Sequence, residues 1–400
     1  MKNRLHVWPQ SPIVADGHVE LAAVLEHPAF GSQRLWYRVP EQFSPHLGAS
    51  AEAFTVASIS HATRLGAALH VHGQVSPTLL RNLEEFATVW HCWRPAEWSE
   101  VELTADQEQE PAPAADDHAI ACFSGGADAC ATVFRHTRGD IGRQRRNLRA
   151  GLMIQGFDIP VGDDAAFTEA RRNGKCILDS VGVETMWVAT NWRAIEQCAG
   201  LKWNDVFAVA ALSCLSLFGA SFRYGLLASP DRSYAVRPAG STPLTDPMLG
   251  RDGFRIVHDG GALSRTAKLG LIAHWPEAMQ HLRVCWEGPD RGGNCGACEK
   301  CVRTILNLRT VGVSCPPCFP REPGEAEILR IPIRTPGQLY ELQSILDEVR
   351  RRGLERERWA LALARRVARA ERTSTPVRRM ARKLGLRRHL NRLQSVWGGG

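Results

Sequence analysis

An apolar run over residues 118–123 ends in Ser124-Gly125-Gly126-Ala127-Asp128 and passes directly into a helix-compatible run over 130–138. A strand that turns through paired glycines into a helix leaves backbone N–H groups and the positive helix end open to an anion, phosphate above all. Two commoner phosphate loops are excluded, because there is no lysine for Gly-x-x-x-x-Gly-Lys-Ser/Thr and no third glycine for Gly-x-Gly-x-x-Gly. The plain alternative is a glycine turn that only starts a helix.

Periodicity sets the fold class. Short apolar stretches at 118–123, 151–157, 185–190 and 223–229 alternate with helical ones at 129–138, 164–173 and 203–220. That alternation predicts an α/β architecture: a doubly wound, mostly parallel sheet with right-handed crossovers and helices on both faces. Ligands of such sheets bind beyond the carboxyl ends of the strands. Residues 124–128 close the first strand and Gln155-Gly156-Phe157-Asp158 close the second, so both segments belong to one rim.

Upstream, residues 5–103 read as short strands plus one helix at 77–90, where Leu79, Leu80, Leu83, Phe86 and Val89 recur at helical spacing. Residues 1–104 are therefore expected to form a small α+β N-terminal domain. The acidic stretch 105–117, with Pro111 and Pro113, reads as a linker, 118–320 as the domain carrying the glycine turn, and 321–400 as a helical region. Charge is concentrated at the end of the chain: over 350–400 Lys and Arg outnumber Asp and Glu by 16 to 3, while the whole chain is only +7. The remainder is net acidic, so the basic balance describes the tail alone.

The first 16 residues show no charged start, apolar core and small-residue cleavage site, and the longest apolar run, 206–222, is interrupted by serines and short for a membrane span. Twelve cysteines in such a chain predict reduced thiols in a cytoplasm, where clustered thiols more often hold metal than pair as disulfides. Cys285, Cys295, Cys298 and Cys301, separated by nine, two and two residues, have the spacing of a tetrahedral zinc knuckle, with an iron–sulfur cluster as the rival. Lys300 and Arg303 are placed to hold those thiols deprotonated. Cys315 and Cys318, split by two prolines, read as a rigid loop outside the site.

Ser124, Gly125, Gly126 and Asp128 resemble the Ser-Gly-Gly-x-Asp-Ser loop of the PP-loop, or ATP-pyrophosphatase, superfamily. Ala129 departs from it, standing where that family has a serine that touches pyrophosphate. Together with the four-cysteine knuckle, the loop makes residues 115–312 similar to the 7-cyano-7-deazaguanine synthase family. The resemblance implies a Rossmann-like PP-loop domain that binds ATP at Ser124, Gly125, Gly126 and Asp128, with Gln155 and Gly156 on the same rim. It also implies Mg2+ at Asp128, a structural Zn2+, and activation of a small-molecule acceptor by adenylation, ATP going to AMP and pyrophosphate. Ala129 motivates an alternative, a nucleotide-binding sensor or scaffold that has lost turnover.

Residues 240–268 are polar and turn-rich, which fits an active-site lid. Within them Arg265 and Lys268, three apart on one helix face, can clamp phosphates, or else form a solvated face. Asp128 can instead cap its helix, and His258 and Asp259 offer acid–base chemistry or a structural pair. In the tail, Val377, Met380, Leu384, Leu390 and Leu393 form an apolar stripe among arginines, which suits an anionic membrane, a nucleic acid or the protein's own surface. Self-association stays open.

Overall fold

The computed structural model describes residues 3–49, 51–230, 238–285, 287–288 and 291–383. The N-terminal part comprises β1 (Arg4–Pro9), β2 (Ile13–Ala15), β3 (His18–His27), β4 (Gly31–Pro40), α1 (Glu52–Leu65), β5 (Ala68–Val75), α2 (Pro77–Trp93) and β6 (Leu103–Glu108). Strand and helix then alternate: β7 (His118–Cys122), α3 (Ala127–Thr137), β8 (Asn147–Gln155), α4 (Asp164–Asp179), β9 (Glu184–Thr190), α5 (Trp192–Ile195), α6 (Trp203–Ser216), β10 (Tyr224–Ala228) and β11 (Arg255–Asp259). Helices complete the described chain: α7 (Arg265–Ile272), α8 (Pro276–His281), α9 (Glu299–Thr310), α10 (Glu325–Arg330), α11 (Pro336–Arg351) and α12 (Arg358–Lys383).

Among the described residues eleven strands form one mixed sheet, in the order β11-β10-β7-β8-β9-β4-β3-β1-β5-β6, with β2 on β3. The five strands from β7 onward are mutually parallel. From β7 the chain winds one way through β8 and β9, then returns to lay β10 and β11 on the other side. Alternate residues face opposite layers. Ile120, Ala150, Leu152, Met186 and Val188 pack with α6 and α1, whereas Ala119, Ala121, Met153 and Leu226 pack with α3, α4 and α8. Small side chains on β7 let the helices approach closely. The apolar run beginning at 206 is the buried α6, and among the described residues no helix is long and apolar enough to cross a membrane.

The N-terminal strands extend this sheet instead of closing a second one. β4 pairs antiparallel with β9, Tyr37 opposite Thr190, and Asn191 braces the junction by accepting from Trp36 N (2.9 Å) and donating to Arg34 O (2.7 Å). Across the core Tyr37 donates to Ser213 on α6 (2.9 Å), and Arg251 pairs with buried Glu52 (2.7 Å). The segment expected as a linker from 105 remains in β6 through Glu108, hydrogen-bonded to β5. Its acidic composition is that of an edge strand with one open face, where charge discourages pairing with another chain.

The polar stretch expected as an exposed lid is folded inward. Ser241, Thr242, Thr245 and Asp246 are buried, Asp246 accepts from Ser241 (2.6 Å) and from Thr242 N (3.1 Å), and it lies 2.7 Å from His258 Nδ1. These groups satisfy one another, as buried polar groups must. The apolar stripe of the tail, from Val377 to Leu393, lies outside the residues whose side chains are described; the backbone of α12 is helical to Lys383.

Asp259, at the end of β11, is the buried tie between that strand and α3. It accepts from Thr132 (2.9 Å) and Arg135 (3.1 Å), with His136 Nε2 at 3.3 Å. Burial opposes its charge, but His136 and Arg135 outweigh burial and hold the carboxyl down from its ordinary 3.8 to about 2. A lowered folded-state value stabilises the fold above pH ~4, and that stabilisation fades as the pH falls towards ~2. Asp259→Asn should therefore cost about 2 kcal/mol in urea unfolding at neutral pH. The gap to the parent should close on acidification; an equal gap at both pH values would show that the charge is not its source.

Candidate functional site: a cationic cleft beside a four-thiol cluster

The strand order creates the site. Where the chain passes from winding on one side of β7 to winding on the other, a crevice forms beyond the carboxyl ends of β7 and β10, and Ser124 and Gly126 of the turn line it. Phe123 N still donates to Leu152 O (2.8 Å), after which the chain breaks from the sheet. Gly125 adopts φ +73°, a left-handed conformation that favours glycine. Gly126, the N-cap of α3, donates its N–H to Ser124 Oγ (3.3 Å). The first helical bond of α3 is Cys130 N to Gly126 O (2.9 Å), so the amides just ahead of it are those a helix cannot satisfy by itself.

Charged side chains converge on this turn. Asp128, in the first turn of α3, accepts from Arg265 Nη2 (2.9 Å) and Lys268 Nζ (3.3 Å), both on α7. Lys268 is 1% exposed and also donates to Ser229 O, while Arg265 donates to Pro230 O (2.6 Å). From the other wall come Arg283, paired with Asp158 (3.2 Å), and Lys300 with Thr304 from α9. Burial pushes the Lys300 ammonium down to about 8, Asp158 countering and Arg265 and Arg303 reinforcing the shift. Four cationic side chains thus face two carboxylates around one cleft. Such a cleft attracts anions.

Of the residues singled out from sequence, Ser124, Gly126, Asp128 and Arg265 line the cleft, and Lys268 reaches it through Asp128. Gly125 supports it from behind, accepting at its carbonyl from Arg283 N (2.9 Å). Gln155 and Gly156 lie outside the lining. Gln155 donates to Asp164 (2.9 Å), and Gly156 is required by the backbone, since a Cβ there would lie 2.0 Å from Thr190 O at φ +105°. From their loop it is Asp158 that enters the cleft. His258 and Asp259 are held in the buried pairings described above. Sequence reasoning missed Arg283 and Thr304. The four-residue step from Lys300 to Thr304 on one helix was the available signal.

The four thiols meet beside this cleft. Cys285 Sγ lies 3.5 Å from Cys295 Sγ and 3.7 Å from Cys298 Sγ, and Cys295 lies 3.9 Å from Cys301. A tetrahedral zinc ion with Zn–S bonds of about 2.3 Å requires sulfur separations of about 3.8 Å, so the donors fit that ion. Without a cation the thiols must share protons: the contact with Cys301 lowers Cys298, and the same contact, with burial, raises Cys301. Cys315 and Cys318 stay apart from this group. Arg303, expected beside the thiolates, instead pairs with Glu299 (2.6 Å) and Glu341 (3.0 Å).

Cluster and cleft share a scaffold. Cys298 caps α9, its sulfur accepting from Cys301 N (3.4 Å), and α9 carries Lys300 and Thr304. Asn294 accepts from Val284 N (2.8 Å) and Cys285 N (3.2 Å) while donating to Leu282 O (2.6 Å) and Cys318 O (3.0 Å), fixing the segment that holds Arg283. Elemental analysis after dialysis against EDTA should find about one zinc per chain. The double variant Cys295→Ser/Cys298→Ser should retain none; zinc retained by that variant would exclude the thiol site.

No protein-family model matches the chain, and neither a curated protein nor a solved structure matches it.

Proposed function

We propose that this chain is an ATP-using enzyme of the PP-loop type, akin to 7-cyano-7-deazaguanine synthase, that transfers AMP to an oxygen of a small acceptor. The acceptor oxygen attacks the α-phosphorus, the α–β bridging P–O bond breaks, and pyrophosphate departs with the electron pair. AMP then leaves when a nitrogen or sulfur nucleophile displaces it. The single observation that carries this reading is the convergence of the Ser124–Gly126 turn with Arg265, Lys268, Arg283 and Lys300 at the β7–β10 crevice.

Each part has a physical role. Amides of the turn and first helical residues would receive phosphate oxygens, and the arginines and lysines would stabilise charge gathering on pyrophosphate. Arg265 and Lys268 are already oriented by Asp128, so little reorganisation is needed when phosphate oxygens take its place. Asp128 would then hold Mg2+ jointly with the phosphates, the ion neutralising their charge. Zinc at Cys285, Cys295, Cys298 and Cys301 would be structural. Four reduced thiols suit the cytoplasm.

A second reading, a nucleotide sensor, is favoured by Ala129, which lines the cleft without the hydroxyl of the PP-loop motif it resembles. One absent hydrogen bond costs about 1–3 kcal/mol, enough to slow turnover while leaving binding. Calorimetry should detect binding of both Mg2+-ATP and pyrophosphate, and Arg283→Gln should weaken each at least about tenfold. Absence of heat with either ligand would remove the reading. Binding without pyrophosphate release across a range of carboxylate acceptors, unchanged in Ala129→Ser, would leave the sensor.

A further inference from the structure

At the far end of the sheet from the cleft, three histidines and a carboxylate gather on the face that the helices leave open. Leu5, Val7, Leu69 and Val71 point into the core, so His6 on β1 and His70 and His72 on β5 point the other way, with Thr104 and Asp106 beside them on β6. The register sets His6 against His70 and His70 against Thr104. Between the pairs Val71–Ala105 and Gln74–Gln107, β5 holds one residue more than β6. Such irregularities re-aim side chains, and this one falls at His72, opposite Asp106.

The donor atoms meet at one point. Asp106 Oδ1 lies 3.1 Å from His70 Nε2 and 3.5 Å from His72 Nδ1, and all three atoms lie within 4.8 Å of one another. Metal–nitrogen and metal–oxygen bonds of about 2.0–2.2 Å around a tetrahedral ion imply ligand edges of about 3.3–3.6 Å, close to these separations. The other nitrogen of each imidazole already has a partner: His70 Nδ1 with Thr104 Oγ1 (2.8 Å), and His72 Nε2 with His6 Nδ1 (3.0 Å). If those outer nitrogens carry the protons, the inner lone pairs of both rings face Asp106 together. An outer partner that fixes tautomer and ring orientation is the usual setting of a ligating histidine. Trp8 adds a further constraint, stacked on His72 with centroids 3.3 Å apart and its Nε1 donating to Glu26 (3.2 Å).

We propose that His70, His72 and Asp106 form a second metal site, one that binds a divalent first-row transition ion of the zinc or cobalt type through two imidazoles and a carboxylate. His6 and Thr104 are positioning residues. Mixed imidazole and carboxylate donors suit such ions, whereas the four thiols select softer chemistry. The His70 and His72 side chains are 18% and 19% exposed and that of Asp106 50%, so the ion sits at the surface and keeps a position for water or an incoming ligand. This site is independent of the nucleotide reading.

The test uses the full-length protein with its thiol-bound zinc retained and labile metal removed by EDTA, titrated with Co2+ and followed by calorimetry and visible absorption. The expected result is uptake of about one Co2+ per chain, with the weak bands of nitrogen and oxygen ligation and no thiolate-to-cobalt charge transfer. His6→Phe, which leaves all three ligands, should weaken uptake about 10- to 100-fold. Asp106→Asn and His70→Gln should weaken it at least as much, each with an unchanged thermal melt before metal is added. Absence of uptake by the parent, uptake showing thiolate bands alone, or equal affinity in the parent and the Asp106 and His70 variants would overturn the proposal.

Discussion

A parallel sheet that winds outward from one strand in both directions must leave a gap where the windings part, and no backbone of the sheet can fill it. Here the parting strands are β7 and β10, and the chain meets the gap with glycine, glycine and the start of α3. Everything chemically distinctive on this side of the molecule follows from that gap. α7 arrives after β11 and brings Arg265 and Lys268; the segment after α8 brings Arg283, and α9 brings Lys300 and Thr304. No single one of these elements makes a site.

Cations gathered out of water repel one another and lose hydration, so a buried lysine such as Lys268 persists only with compensation. Asp128 and the Ser229 carbonyl supply it, and Asp158 does the same for Arg283. On the proposed reading both carboxylates stand where an anion would bind, and they hold Arg265 and Arg283 at the cleft. Asp259 shows the contrasting design: it is buried among its partners, and its strong hydrogen bonds are spent joining α3 to β11.

Strands β7 to β10 of the parallel half were legible because each has an apolar centre and each crossover helix has its own periodicity, as in the alternation from Ile120 through Val188, whereas β11, with Arg255, His258 and Asp259, was taken into the polar stretch 240–268. The N-terminal half was legible as strands and a helix but not as part of the same sheet. What joins it is a short antiparallel pairing of Tyr37 and Arg38 with Thr190 and Ala189, and such a pairing leaves no periodic trace. Asp106 was read as belonging to the linker 105–117 because one polar face of an edge strand looks like no strand at all. In the cleft, motif spacing pointed to Ser124, Gly126 and Asp128, while Arg283 depended on a turn of chain fastened by Gly125 and Asn294, which only the folded arrangement brings together.

Because the sulfur of Cys298 caps α9, the wall of the cleft that carries Lys300 and Thr304 leans on sulfur. A peroxide that converted Cys285 and Cys298, whose sulfurs lie 3.7 Å apart, into a disulfide would draw them to bonding distance and disturb the cap of the helix that carries Lys300, without altering any residue that lines the cleft. The fold therefore makes the cleft hostage to the oxidation state of its surroundings.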